Sequence, residues 1–140
     1  SSLRQTSADD LMLPGVRQIF EQASHFKLKL GVASASLNAV EVLERLELLP
    51  NLLAVADGST VSRPKPHPDI YLWTAGALRT SPINIIVFED SAVGITAAKT
   101  AGMVVIGVGS GSQLNHADLQ ISQLDAMSLD SLLQHAENHR

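Results

Sequence analysis

Apolar positions recur along this chain in blocks whose period switches between helical and extended. Val16, Ile19, Phe20 and Ala23 fall at helical spacing and form one stripe, with Pro14 ahead of them where a first helical turn tolerates it. Lys27-Leu28-Lys29-Leu30-Gly31-Val32-Ala33 alternates and then turns apolar, which predicts a strand entering a core with its lysines near an edge or end. After Ser34-Ala35-Ser36 a second helix is expected. Asn38 with Glu41 resembles a capping box there, and Val42, Leu43 and Leu46 supply the buried stripe. Residues 52–56 form a short apolar run stopped by Asp57-Gly58, a strand followed by a turn. Pro68 opens a helix through Ala77, on which Tyr71 and Trp73 read as packing residues. Residues 83–88 are a β-branched strand, 91–101 a helix closed by Gly102, and 103–108 the next strand. A short strand over 117–121 and a helix over 129–136 complete the pattern.

Strands alternating with helices of about ten residues imply βαβ crossovers and a mostly parallel sheet. Wholly apolar strands fit a sheet covered on both faces. The expected fold is therefore α/β, a Rossmann-like three-layer α/β/α arrangement. Residues 1–10 are polar and aperiodic, so the expected organisation is a tail or linker over 1–12 and one core domain over 13–140. A 140-residue chain is long enough to bury about two-thirds of its unfolded surface in one core.

Fourteen acidic against ten basic side chains give a net charge of −4, which argues against a duplex nucleic acid or an anionic membrane as partner. The absence of cysteine excludes disulfide scaffolds, thiol nucleophiles and thiolate zinc sites. No apolar run approaches the ~18 residues of a membrane span. A cytoplasmic location is the resulting expectation.

In parallel sheets ligands bind beyond the carboxyl ends of the strands, and polar residues stand at three such ends. Ser34-Ala35-Ser36 offers a hydroxyl and backbone N–H groups before a helix, either an anion site or plain helix capping. In Arg63-Pro64-Lys65-Pro66-His67-Pro68-Asp69 the prolines stiffen the backbone around Lys65. That lysine is either a point charge for a phosphate oxygen or the solvated part of a rigid linker. Phe88-Glu89-Asp90-Ser91 puts adjacent carboxylates at a sheet rim. There a hard cation such as Mg²⁺ would relieve their repulsion, unless Asp90 or Ser91 caps the next helix and Glu89 faces solvent. An anion-binding hydroxyl, a rigid cation and an acidic pair on one sheet are what holding a phosphoryl group beside Mg²⁺ requires.

The order Val32-Ala33-Ser34-Ala35-Ser36, Lys65-Pro66-His67-Pro68-Asp69-Ile70-Tyr71 and Phe88-Glu89-Asp90-Ser91-Ala92-Val93-Gly94-Ile95 resembles the haloacid dehalogenase superfamily, within it the β-phosphoglucomutase and sugar-phosphate phosphatase branch. The similarity runs from about Leu13 to Leu133, and Pro14-Gly15-Val16 and residues 98–109 also fit. The resemblance implies that Ser34, with backbone N–H groups near Ala35, binds the transferring phosphoryl group. It makes Lys65 the cation that neutralises that group and the nucleophile, and Glu89 and Asp90 the motif that holds Mg²⁺. Asn38 matches the branch, whereas Leu37 stands where relatives often carry a basic residue. The implied substrate is a phosphorylated small molecule, a sugar phosphate. Which sugar, and whether the reaction is mutase or phosphatase, stay open.

One departure bears on all of this. The family's nucleophile is an Asp in an N-terminal Asp-x-Asp-Gly-Thr/Val motif after a buried strand, forming an aspartyl-phosphate. No such motif precedes Pro14 here. Asp9-Asp10 follows no apolar strand, and Val55-Ala56-Asp57-Gly58 has valine at the nucleophile position. In the family the missing strand lies between those ending at Ser34 and Asp90. Its neighbours could close up, a second chain could fill the gap (a homo-oligomer through exposed edges included), or the segment exists outside this sequence. The expectation is a phosphotransferase core inactive on its own. The alternative is a non-catalytic remnant that binds an anion or a partner chain across the gap. Gly107-Val108-Gly109-Ser110-Gly111 reads as a post-strand loop, and His135 with His139 as a solvated tail.

Overall fold

A computed structural model describes residues 15–45, 47–48 and 52–138. The expectations resting on residues 1–12, Pro14, Leu46 and His139, and on the side chain of Val42, lie outside what it describes. The elements run α1 Val16–His25, β1 Gly31–Ala33, α2 Ala39–Arg45, β2 Ala54–Ala56, α3 Asp69–Leu78, β3 Ile86–Glu89, α4 Ala92–Thr100, β4 Val104–Val108, β5 Leu119–Ile121 and α5 Leu129–Asn138. All strand pairs are parallel, as the alternating pattern requires.

Side-chain alternation sorts the core onto two faces. Val87 and Val105 point to one face, where Ile70, Tyr71 and Ala75 of α3 and Ile95, Ala97 and Ala98 of α4 cover them. Ile86, Phe88, Ile106 and Val108 point to the other, against Ile19 and Ala23 of α1 and Leu129 and Leu132 of α5. The result is the expected three-layer α/β/α arrangement. Among the described residues no helix is long and apolar enough to cross a membrane.

The strands form two separate sheets, β1-β2 and β3-β4-β5. Among the described residues no ladder joins β1 to β3, so these neighbours have not closed on one another. The apolar layers nevertheless run past the break. Ala33 packs into the first cluster with Val87, and Leu30 packs into the second with Phe88.

Local chemistry moved two predicted strands. The strand expected over 27–33 is confined to Gly31–Ala33. Lys27 takes a positive φ of 58°, and the N–H groups of Lys27 and Leu28 donate to the carbonyls of Ser24 and Ala23. Residues 27–28 thereby close α1 instead of extending β1. The strand expected over 83–88 begins at Ile86, because Pro82–Asn84 forms a 3₁₀ turn, and it runs on to Glu89. Trp73 is not a packing residue: α3 leaves it 42% exposed, while Tyr71 on the same helix is buried. Asp57 is the expected turn residue, accepting from the N–H and hydroxyl of Ser59.

Candidate functional site

β1 and β3 end at the same rim, and one side chain spans the break between them. The loop from Arg63 to Pro68 carries Lys65 over the strand ends. Its Nζ donates to the Ala33 carbonyl at 3.3 Å and to Glu89 Oε2 at 2.9 Å. The residues following those two partners are Ser34 and Asp90. Lys65 is thus the joint that brings the three candidate regions to one place. Its side chain is 13% exposed and that of Glu89 9%, which makes this a buried ion pair and not a solvated linker lysine.

Glu89 is held from every side. Besides Lys65, its Oε2 accepts from the buried Tyr71 hydroxyl, and its Oε1 accepts from the Ser91 hydroxyl at 3.1 Å and the Asp90 N–H at 3.2 Å. Burial alone would push the Glu89 carboxyl up. The charge of Lys65 and the hydrogen bonds from Tyr71, Lys65 and Ser91 outweigh it and hold the group below the ordinary glutamate range. Tyr71 shifts the opposite way: burial first, then the Glu89 charge, keep its phenol protonated far into alkali. The Lys65 Nζ also lies 5.0 Å from the centre of the Tyr71 ring, within cation–π range.

This packing explains a glycine. A Cβ on Gly94 would lie 2.0–2.4 Å from the Glu89 carboxylate, so only glycine lets that carboxylate rest against the first turn of α4. Ser91 caps the same turn, its Oγ accepting from the Gly94 N–H at 3.1 Å.

At the end of β1, the Ser34 N–H donates to the Ala56 carbonyl, and its hydroxyl oxygen accepts from the Ser36 N–H at 3.1 Å. The Ser36 hydroxyl in turn meets Asn38. Ala35 and Leu37 are exposed, Leu37 at 76%. Gly58, after β2, packs against the Ala35 carbonyl, where a Cβ would approach to 2.4 Å. The Glu41 carboxylate pairs with Arg45 along α2.

A divalent cation places different demands on the two acids. Asp90 is exposed at the strand end, so its carboxylate can serve as a ligand. Glu89 has both oxygens engaged and would have to release Lys65, Tyr71 or Ser91 to join it. Among the described residues no group of three or more His, Asp or Glu side chains is gathered to hold a metal. Mg²⁺ commonly takes one or two carboxylates and completes its shell with phosphate and water. Asp90 fits that pattern as one contributor.

Sequence reasoning gave no site role to Tyr71 or Gly94, and it missed the partnership of Arg63 with Asp69 at the ends of the Lys65 loop. A usable signal was present for Tyr71: a tyrosine in a buried helical stripe normally finds a partner for its hydroxyl.

The family model for haloacid dehalogenase-like hydrolases matches residues 6–108. The chain is 37% identical over 129 residues to a β-phosphoglucomutase of Bacillus subtilis, covering 92% of this chain and 57% of that protein. It is 38% identical over 92 residues to a phosphorylated carbohydrates phosphatase of Thermotoga maritima, covering 64% of this chain and 43% of that one. Among solved structures, a β-phosphoglucomutase from Clostridium difficile superposes with a TM-score of 0.86 at 31% identity, over 91% of this chain and 57% of the other. The chain therefore spans roughly half the length of the relatives it matches.

Proposed function

The chain belongs to the haloacid dehalogenase-like hydrolases, and we propose that it is the phosphate-handling part of an enzyme that transfers or hydrolyses the phosphoryl group of a phosphorylated sugar. The observation that carries this reading is the Lys65 bridge. A cation held between the end of β1 and the end of β3 lies where a phosphoryl group bound by Ser34 and the backbone near Ala35 would place its charge. The relatives' names, a phosphoglucomutase and a carbohydrate phosphatase, support a sugar phosphate as the substrate class.

In this reading Ser34 and the Ala35 backbone orient the phosphoryl oxygens, and Lys65 neutralises their charge. Glu89 keeps Lys65 aimed at the rim, and Asp90, with Glu89 if it is released, contributes to holding Mg²⁺. When bound, that ion would neutralise developing charge on the phosphoryl oxygens. Among the described residues no carboxylate is assigned as the attacking group. Asp57 is turned into its own loop by Ser59 and Thr60. In this proposal the attacking carboxylate comes from outside the described residues, on a strand that fills the break between β1 and β3.

Two measurements test the proposal. Inorganic phosphate in the presence of Mg²⁺ should bind the chain, and Lys65→Met should weaken that binding at least tenfold, as expected when a charge-assisted contact is lost. Turnover of p-nitrophenyl phosphate by the chain alone should be undetectable. Binding unaffected by Lys65→Met would overturn the assignment, and Mg²⁺-dependent turnover abolished by Asp90→Ala would overturn the placement of the nucleophile. The break between the two sheets also supports a second reading, a non-catalytic chain that binds a partner strand there. Tight association with an apolar strand peptide, without any phosphate binding, would favour it.

A further inference from the structure

Lys65 sits in a loop whose two ends are tied to each other. Arg63 Nε donates to Asp69 Oδ2 at 2.9 Å and Arg63 Nη2 to Asp69 Oδ1 at 2.7 Å, a two-pronged contact that fixes orientation as well as distance. Between these ends the His67 N–H donates to the Pro64 carbonyl at 3.0 Å. Asp69 is also the first residue of α3, the helix that carries Tyr71. The clamp therefore joins the start of the loop to the element that supplies the other partner of Glu89. Arg63 is 60% exposed and Asp69 24%, so the pair sits outside the site and touches none of Ser34, Lys65 or Asp90 in the contacts described above.

We propose that the Arg63–Asp69 pair is a positioning device: it closes the proline-stiffened loop into a ring and so holds the Lys65 ammonium at the rim between β1 and β3. Prolines at positions 64, 66 and 68 restrict the backbone but leave the loop free to swing as a unit about its ends. Arg63–Asp69 removes that freedom. A surface ion pair ordinarily contributes little; here its effect is concentrated on one side chain, because opening the ring releases Lys65 and not the core. The inference rests on the reading that Lys65 faces the phosphoryl group, but its test reads Lys65 directly, so the two can fail separately.

The full chain is labelled with acetic anhydride at fixed pH, and the acylation rate of each lysine is followed by mass spectrometry. Arg63→Met is expected to raise the rate at Lys65 about threefold relative to Lys27. Arg63→Lys, which keeps the charge but loses the second prong, is expected to give a smaller rise. In the unaltered protein 1 M NaCl should raise the Lys65 rate by screening the exposed clamp, and Arg63→Met should abolish that salt response. Phosphate binding should weaken in the same rank order. An unchanged Lys65 rate in Arg63→Met, or an equal rise at all lysines, would overturn the proposal. If the variants do not fold, the salt response of the unaltered protein decides: no change at Lys65 overturns it.

Discussion

The two sheets of this molecule are built to different standards. In β3-β4-β5 the central strand is five residues long and buried throughout, paired on both sides and covered by helices on both faces. In β1-β2 each strand has three residues, and β1 is half-buried at best. The first sheet is stabilised by ordinary apolar burial. The second is secured by α3, against which Gly31 packs so closely that an added Cβ would lie 3.2 Å from Thr74, and by the polar joint at its carboxyl end. The weaker half is also the half that carries Ser34. Elements that form binding sites commonly come from the less stable part of a fold. Here a buried ion pair does the joining that a strand ladder does elsewhere.

The strongest way to break that comparison is to remove the joint. Lys65→Met leaves the Glu89 carboxylate buried without its cation, a change that costs about 3–5 kcal/mol in comparable buried pairs. Hydrogen exchange should then show loss of protection at Gly31–Ala33 and Ala54–Ala56 well before Val104–Val108. Equal loss across both sheets would mean that they open as one unit and that the contrast is only geometric. Acid offers the same test without mutation. The folded Glu89 carboxyl lies below its unfolded value, so its contribution is fully present near neutrality. It fades as pH falls below about 4, and Lys65→Met should flatten that limb of the stability profile.

A smaller effect is expected from Tyr71→Phe. The ring stays in the first core cluster and only the hydroxyl that donates to Glu89 is lost, which should cost about 1–3 kcal/mol. Tyr71 and Lys65 serve the same oxygen, Oε2, so the double variant should not show the sum of the two single effects. Strict additivity in a double-mutant cycle would show that the two donors act independently.

The stronger sheet was also the more legible in the sequence. Residues 103–108 and 91–101 are long, uniformly apolar or well-capped segments, and the observed β4 and α4 fall within a residue or so of those limits. The weaker half misled where composition imitated a strand: Lys27 and Leu28 alternate with Lys29 and Leu30, yet a left-handed residue spends the first of them on closing α1. At the candidate site, spacing singled out Ser34, Lys65, Glu89 and Asp90, but not the contacts they make. Whether Glu89 faces a metal, solvent or a lysine depends on contacts with residues 18 and 24 positions away, which local pattern does not encode. The family resemblance supplied roles for these residues. It gave no role to Tyr71, Gly94 or the Arg63–Asp69 pair.

The last test asks whether the weaker half owes its order to the joint or to its own local contacts. Arg45 and Glu41 pair on the exposed side of α2 at 3.1 Å, with the acid one turn ahead of the base, the favourable order along a helix. This pair lies on the helix that connects β1 to β2. Arg45→Ala should lower stability by only about 0.3–0.5 kcal/mol and leave amide protection in β1 unchanged. If it instead loosened β1 as much as Lys65→Met does, α2 would be the element that holds this sheet in place. The break at the rim would then be bridged from the helix layer, and the buried pair would serve chemistry alone.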